Sequence, residues 1–327
     1  MASLTRKRTI LVGSEASYGA GGSLTGSSNA LLVRDLEITP LSSETVERNL
    51  IRSYMGGYDT LLANTHVAVS FEIELTASGT AGTAPAFDPA LRACGFKRTD
   101  VASTSNTYAP MSNTANNATG GYQSCTIWVN YDGVLHKMSG CYGTFSINLE
   151  VGQIPTIRFE MMGQKGAIST SALPTCTYTQ PSPLIFKDEN CGTTPFTFFG
   201  TSDLALKSWS LDMGVQLTYV ERVHSIAGQS SNPGFVHITD RAPTGNTTFD
   251  MPSLLTKDFF AVALGNSTGT NIVKFGTAAG SKIDFSCPQT SINQPTYSDD
   301  NGIQMLDCPF SAVPSSSGND EVSIKFY

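Results

Sequence analysis

The stretch with the best spacing for chemistry is Gly265-Asn266-Ser267-Thr268-Gly269, which fits the G-x-S-x-G pattern of a nucleophile elbow. An elbow needs a strand entering the serine and a helix leaving it, so that the hydroxyl stands exposed on a strained turn. Here Lys257 to Leu264 reads as a helix that precedes the motif, so the glycines mark a helix exit instead. Ser298-Asp299-Asp300-Asn301-Gly302 has the acids of a calcium loop without the alternating spacing or the distal Glu, and reads as a hairpin turn. Gly163 to Thr170 does not match a phosphate-binding loop, and Gly19 to Gly26 misses the dinucleotide spacing at Leu24. Asn117-Ala118-Thr119, Asn246-Thr247-Thr248 and Asn266-Ser267-Thr268 are sequons, which matter only in a secreted chain. Seven Cys without a C-x-x-C pair, and four His (His66, His136, His224, His237) away from any Cys at ligand spacing, give no zinc site. Cys287 and Cys308 could face each other across a hairpin centred near Tyr297, with neighbouring reduced thiols preferred over a bond. No Ser/His/Asp or Cys/His grouping assembles locally. The expectation is a protein without enzyme activity, metal or cofactor.

The elements are those of a β protein. Thr126 to Tyr131 alternates with the period of a strand, and Asp132-Gly133 follows as a tight-turn dipeptide. The chain returns through Val134 to Met138 and begins again at Gly143. Phe145, Ile147 and Leu149 then share one face, and Thr144, Ser146, Asn148 and Glu150 the other. After a turn at Gly152 to Pro155, Ile157, Phe159 and Met161 alternate with Arg158 and Glu160. This predicts a meander of about four antiparallel strands with one apolar face.

Elsewhere, residues 1–30 read as a Gly- and Ser-rich arm, extended or partly disordered. Leu31 to Leu41 reads as a strand stopped at Thr39-Pro40, and Ser42 to His66 as a long connection. Val67 to Leu75 is a strand. Asp88-Pro89 is an N-cap with proline at the first helical position, opening a short helix that ends at Gly95. Lys97 to Gln123 reads as loop or hairpin tip, and Gly166 to Pro195 has the composition of a linker.

Composition narrows the class. Charged residues make up only 14%, against roughly 25% in average soluble proteins, and burial of that uncharged surface against other copies would explain it. A net charge of −7 argues against binding nucleic acid by neutralising phosphates. No apolar run reaches the roughly 18 residues of a membrane span, and Thr9 to Val12 is too short for a secretory signal, so assembly in the cytoplasm is expected.

The chain also repeats itself. Leu36-Glu37-Ile38 is echoed by Leu211-Asp212-Met213, Val46-Glu47-Arg48 by Val220-Glu221-Arg222, and the helix ending at Gly95 by the one ending at Gly265. Each match alone is weak; their common order and near-constant offset predict a duplicated domain. The expected division is an arm over 1–30, a first domain over 31–165, a linker over 166–197 and a second domain over 198–327.

The chain resembles the major tail proteins of long, flexible-tailed bacteriophages, especially those of transposable siphophages of Pseudomonas. The resemblance runs from Thr5 over nearly the whole chain. It rests on Leu31 to Leu41, Leu91-Arg92-Ala93-Cys94-Gly95-Phe96, Tyr131 to Lys137, Ile238-Thr239-Asp240-Arg241, Lys257-Asp258-Phe259-Phe260 and Pro295-Thr296-Tyr297-Ser298-Asp299. It implies an antiparallel β-sandwich or barrel tail-tube fold with one short flanking helix per domain. Its rings would stack into a hollow tube around a tape-measure protein, between a tail terminator and distal tail proteins. Double-stranded DNA would pass through without specific binding. The competing reading from composition and fold class is a carbohydrate-binding sandwich on a virion or cell surface, with a hydrolase a distant third.

Three expectations follow from joining the resemblance to the residues. Two fused domains, related by a rotation of about 60°, would let three chains close a ring of pseudo-sixfold symmetry. The connection Ser42 to His66 would reach an adjacent ring, Glu44, Glu47, Arg48 and Arg52 supplying polar contacts and Tyr54, Met55 and Tyr58 apolar anchors. The lumen would be lined by Thr144, Ser146, Asn148, Glu150, Arg158 and Glu160, with Asp284 and Ser286 as counterparts in the second half, and would be net negative.

Overall fold

In the computed structural model, which describes residues 4–112, 122–222 and 234–327, the chain is mainly β, with antiparallel strands and two short α-helices among those residues. Its first half runs β1 (Arg8–Ser14), β2 (Ala30–Leu31), β3 (Arg34–Glu47), β4 (Thr60–Glu74), α1 (Asp88–Ala93), β5 (Phe96–Val101), β6 (Ser105–Pro110), β7 (Cys125–Tyr131), β8 (Val134–Glu150) and β9 (Thr156–Thr170). Alternation sets the inward faces: Val67, Val69, Phe71 and Ile73 of β4, and Ile157, Phe159 and Met161 of β9, are all buried. Asp132 and Gly133 turn β7 into β8 with φ of 42° and 112°, the left-handed pair that a tight hairpin demands.

The second half runs β10 (Phe196–Phe198), β11 (Leu206–Asp212), β12 (Val215–Glu221), β13 (Gly234–Arg241), β14 (Thr244–Asp250), α2 (Phe259–Leu264), β15 (Thr268–Phe275), β16 (Ile283–Ile292), β17 (Thr296–Asp300), β18 (Ile303–Ala312) and β19 (Ser323–Phe326).

Backbone ladders join β3 to β4, β4 to β9, β9 to the C-terminal part of β8, β8 to β11, β11 to β14, β14 to β18 and β18 to β17. The result is one continuous run of eight antiparallel strands crossing both halves. Two smaller patches back it: β2-β1-β7 with the N-terminal part of β8, and β5-β6-β19-β16-β15-β10. β19 ties the halves, placing Ile324 opposite Tyr108 of β6 and Phe326 opposite Ile283 of β16. Between the layers lies a single apolar core, including Phe71, Phe87, Phe145 and Phe159 on one side and Trp209 stacked 5.3 Å from Phe285 on the other.

Several expectations change. The arm over 1–30 contains β1, whose Ile10, Leu11 and Val12 are buried against β7, so this segment is part of the sandwich. Pro40 does not stop β3. It sits where the β3–β4 register shifts between Thr39 and Ser42, a place where the ladder does not need its missing N–H. Most of the long connection Ser42 to His66 is therefore strand, and only 48–59 is loop. The four-strand meander is three strands, because β8 continues through a register shift between Ser139 and Tyr142 and serves both layers. Gly140, at φ 58°, makes that bend; a Cβ there would lie 2.7 Å from the Tyr18 ring.

Asp88 is inside α1 rather than its cap, and instead accepts the Tyr108 hydroxyl at 2.6 Å and pairs with Arg98 at 2.9 Å. Asp258 does cap α2, accepting the Ala261 amide at 2.9 Å, and so starts that helix later than Lys257. Part of Lys97 to Gln123 is the β5–β6 hairpin, and 113–121 lies outside the described residues. The linker begins later than expected, since β9 reaches Thr170. Cys287 and Cys308 are buried free thiols, and the hairpin between them turns at Asn301-Gly302 rather than near Tyr297.

Candidate functional site

The eight-strand run has one face on the core and one face free. On β8, Phe145, Ile147 and Leu149 point inward, which leaves Thr144, Ser146, Asn148 and Glu150 on the free face. Ser146 stands opposite Arg158 and Thr144 opposite Glu160 on β9, so these six residues form one surface. The same face carries Ser70 and Glu72 on β4 and continues across the chain's midpoint to Ser208, Ser210 and Asp212 on β11. Asn246, Thr248 and Asp250 of β14 extend it, with Asp307 of β18 accepting the Thr248 hydroxyl at 2.5 Å. The tripeptide repeats include Asp212 without placing it on a face, and they do not reach Asp250 or Asp307. The inward alternation of Trp209 and Leu211 would have located the β11 part of this face.

Charge on this face is organised. Its cations each sit beside a carboxylate: Arg34 is 3.5 Å from Glu72 and 3.0 Å from Glu74, Arg158 is 3.7 Å from Glu160, and Lys207, in the β11 bulge, is 2.7 Å from Asp300. The hydrogen bond to Asp300 holds the Lys207 ammonium above its ordinary pKa. Arg158 also donates to the Ser70 hydroxyl at 3.2 Å. Glu150, Asp212 and Asp250 have no ion pair within 4.0 Å among the described residues. Paired cations and unpaired carboxylates leave a net negative surface. Near its upper end, where β12 leaves the sheet, the face holds a groove of about 490 Å³ lined by Glu37, Ser70, Arg158, Glu160, Met162 and Leu217.

Asp284 and Ser286 are not on this face. They lie on β16 in the other layer, opposite Lys325 and Ser323 of β19, and Asp284 accepts the Tyr327 hydroxyl at 3.1 Å. Burial pushes the Asp284 carboxyl above its usual range. The counterpart expected from chain order fails because only Thr290, Ser291 and Ile292 of β16 reach β18, while the part carrying Asp284 and Ser286 lies between β15 and β19 in the other layer.

The expected stacking residues sit on a ribbon. Beyond His66, β4 loses its β9 partner and pairs with β3 alone, so the hairpin from Glu44 to Ala63 stands clear of the sheet. Glu44 accepts the Asn64 side-chain amide at 2.7 Å, and Arg48 pairs with Asp59 at 2.8 Å at the neck of the loop. Arg52 lies 4.3 Å from the Tyr58 ring and 5.4 Å from the Tyr54 ring, which organises the tip by cation–π contact. Glu47, Tyr54, Met55 and Tyr58 are exposed. So are Val46, Leu50, Ile51, Leu61 and Leu62, which add exposed aliphatic surface between the ribbon's charged residues.

The two ends of the strand run are open. β3 pairs with β4 and β17 with β18, and neither carries a ladder on its other edge among the described residues. In the middle of the run, β8 and β11 meet edge to edge, with Ile147 opposite Leu211 and Glu150 opposite Ser208. The tryptophans do not form an exposed aromatic cluster: Trp209 is buried, and Lys137 lies 4.1 Å over the Trp128 ring. Ser267 sits between α2 and β15, the reverse of the order a nucleophile elbow requires. Among the described residues, no three His, Cys, Asp or Glu side chains converge as a metal site, and no helix is long and apolar enough to cross a membrane.

A comparison with curated proteins finds no match to this chain. The family model described as phage tail tube protein matches residues 5–312. That is nearly the whole chain, and it carries both the strand run and the free ribbon; the chain belongs to the phage tail tube protein family, structural components of the virion tail.

Proposed function

We propose that this chain polymerises into stacked rings that form the hollow tube of a long, non-contractile phage tail, with three copies in each ring. The β8–β11 ladder carries this reading. The halves on either side of it share a pairing order, apart from the β5–β6 hairpin after α1, and this supports reading them as like units. In the first, β3 and β4 pair, a short helix follows, and β7, β8 and β9 return so that β9 pairs with β4. In the second, β11-β12 and β13-β14 pair, a short helix follows, and β15, β16-β17 and β18 return so that β18 pairs with β14. β11 therefore corresponds to β3, and β17 to the C-terminal part of β8. The β8–β11 contact inside one chain is then a template for β17 of one copy meeting β3 of the next. An unpaired edge recruits another strand, and ring closure removes the edge. Two like units per chain, each turned by about 60°, close a ring with three chains.

The negative face would then be the inner wall. Each free Lys or Arg on it would add a phosphate contact, and here the cations are held by carboxylates. Double-stranded DNA would pass without adhering during ejection, and before that the same wall would enclose the tape-measure protein. The ribbon tipped by residues 48–59 would contact the adjacent ring, and the tube's ends would meet terminator and distal tail proteins. Assembly takes place in the host cytoplasm in this reading. Negative-stain microscopy of the purified chain, with the mass of isolated rings, tests it. Tubes or three-chain rings are expected; dispersed monomers, or rings of six whole chains, overturn it.

A further inference from the structure

The registers fix which end of the strand run each exposed apolar group occupies. The ribbon tip extends beyond the His66–Gln164 pair, at the end where β4 and β9 part. At the other end, Glu74 faces Thr156, Glu150 faces Ser208, and Asp250 faces Met305. The chain leaves Asp250 there into the segment before α2, in which Leu254 and Leu255 are exposed, Leu255 at 98%. Ile51 and Met55 at the opposite end are exposed at 104% and 101%. In the first half the corresponding segment after β4 has Leu75 and Ala77 buried instead.

We propose that the tip residues Ile51 and Met55 of one copy dock on Leu254 and Leu255 of a copy in the neighbouring ring. This rests on the tube reading above and names the surface that receives the ribbon. A contact between two different patches at opposite ends of one molecule is heterologous, and such contacts propagate as open filaments rather than closing. Both patches are large aliphatic side chains without cover on their own chain, which is the composition of an interface core. Arg52 at the tip has no carboxylate within 4.0 Å among the described residues, and at the receiving end Glu150 and Asp250 have no ion pair within 4.0 Å, although Lys207, paired with Asp300, and Lys257 lie at that end too.

The test uses the full chain. Leu255→Asp is a substitution on a fully exposed side chain, so circular dichroism and the unfolding midpoint should match the parent. The concentration needed for tube growth should rise roughly tenfold or more, with rings still forming. In assembled tubes, Met55→Cys combined with Leu255→Cys should yield chain-to-chain disulfides on mild oxidation by a disulfide reagent, visible as a ladder in non-reducing gels. Neither single substitution should yield it. Tubes that grow normally with Leu255→Asp and give no ladder with the double substitution overturn this contact while leaving the tube reading intact. A parent chain that forms neither rings nor tubes overturns both.

Discussion

Glu15 offers a sharp energetic test, because it is a buried carboxylate held by donors alone. Its oxygens accept from the Gly19 amide at 2.9 Å, the Ser124 hydroxyl at 2.5 Å, the Thr126 hydroxyl at 2.7 Å and the Gly140 amide at 2.9 Å, with the side chain 2% exposed. It thus clamps the segment after β1 onto β7 and onto the bend of β8. Glu15→Gln keeps the shape but turns one acceptor oxygen into a donor. The Ser124 and Thr126 hydroxyls can rotate to accept from it. The Gly19 and Gly140 amides cannot, so one backbone N–H is left buried and unpaired whichever way the amide lies. Losing a charge-assisted bond of about 1.5–3 kcal/mol, with a stranded donor of about 1–3 kcal/mol, predicts a loss near 3 kcal/mol. Urea unfolding of the unassembled chain, followed by circular dichroism, measures it. A loss below about 0.5 kcal/mol, the scale of an ordinary surface substitution, would refute the clamp.

Three further outcomes are expected. Trp209→Ala empties a fully buried site beside Phe285 and strands Asn271, which accepts the indole N–H at 3.3 Å, so unfolding measurements should show a loss of about 3–5 kcal/mol. Asp284, raised by burial, binds its proton more tightly in the folded chain than in the unfolded one. Its contribution to stability is therefore present at acid pH and is lost as pH rises through the ordinary carboxylate range to the raised value. Asp284→Asn should remove that part of the pH dependence in unfolding midpoints, and an unchanged profile would contradict it. Asn148→Lys, exposed on the same face and outside the stacking contact, should leave tubes intact but make DNA release from reconstituted tails slow and salt-dependent, as added phosphate contacts require.

How much of this was legible beforehand depends on how local the cause was. Alternation over Phe145–Glu150 and Ile157–Met161, the Asp132-Gly133 turn and both short helices were readable because neighbouring residues decide them. β1 was not, because Thr9 to Val12 is a short run whose partner, β7, lies far along the chain. The β3–β4 ribbon read as a connection because beyond the sheet it buries neither face, and alternation has nothing to sort. Six of the residues expected to line one surface, on β8 and β9, do share a face. Asp284 and Ser286 do not, because chain order after a helix does not say which part of β16 reaches the main sheet, and only its last residues do.

The most direct test of the three-chain ring is the rotational symmetry of the assembled tube by cryo-electron microscopy. Threefold rings are expected, in which β17 of each chain lies antiparallel to β3 of the next, repeating the β8–β11 junction, with the ribbons crossing to the neighbouring ring. A ring of six whole chains, or three-chain rings in which β3 and β17 remain unpaired at the subunit boundary, would contradict it.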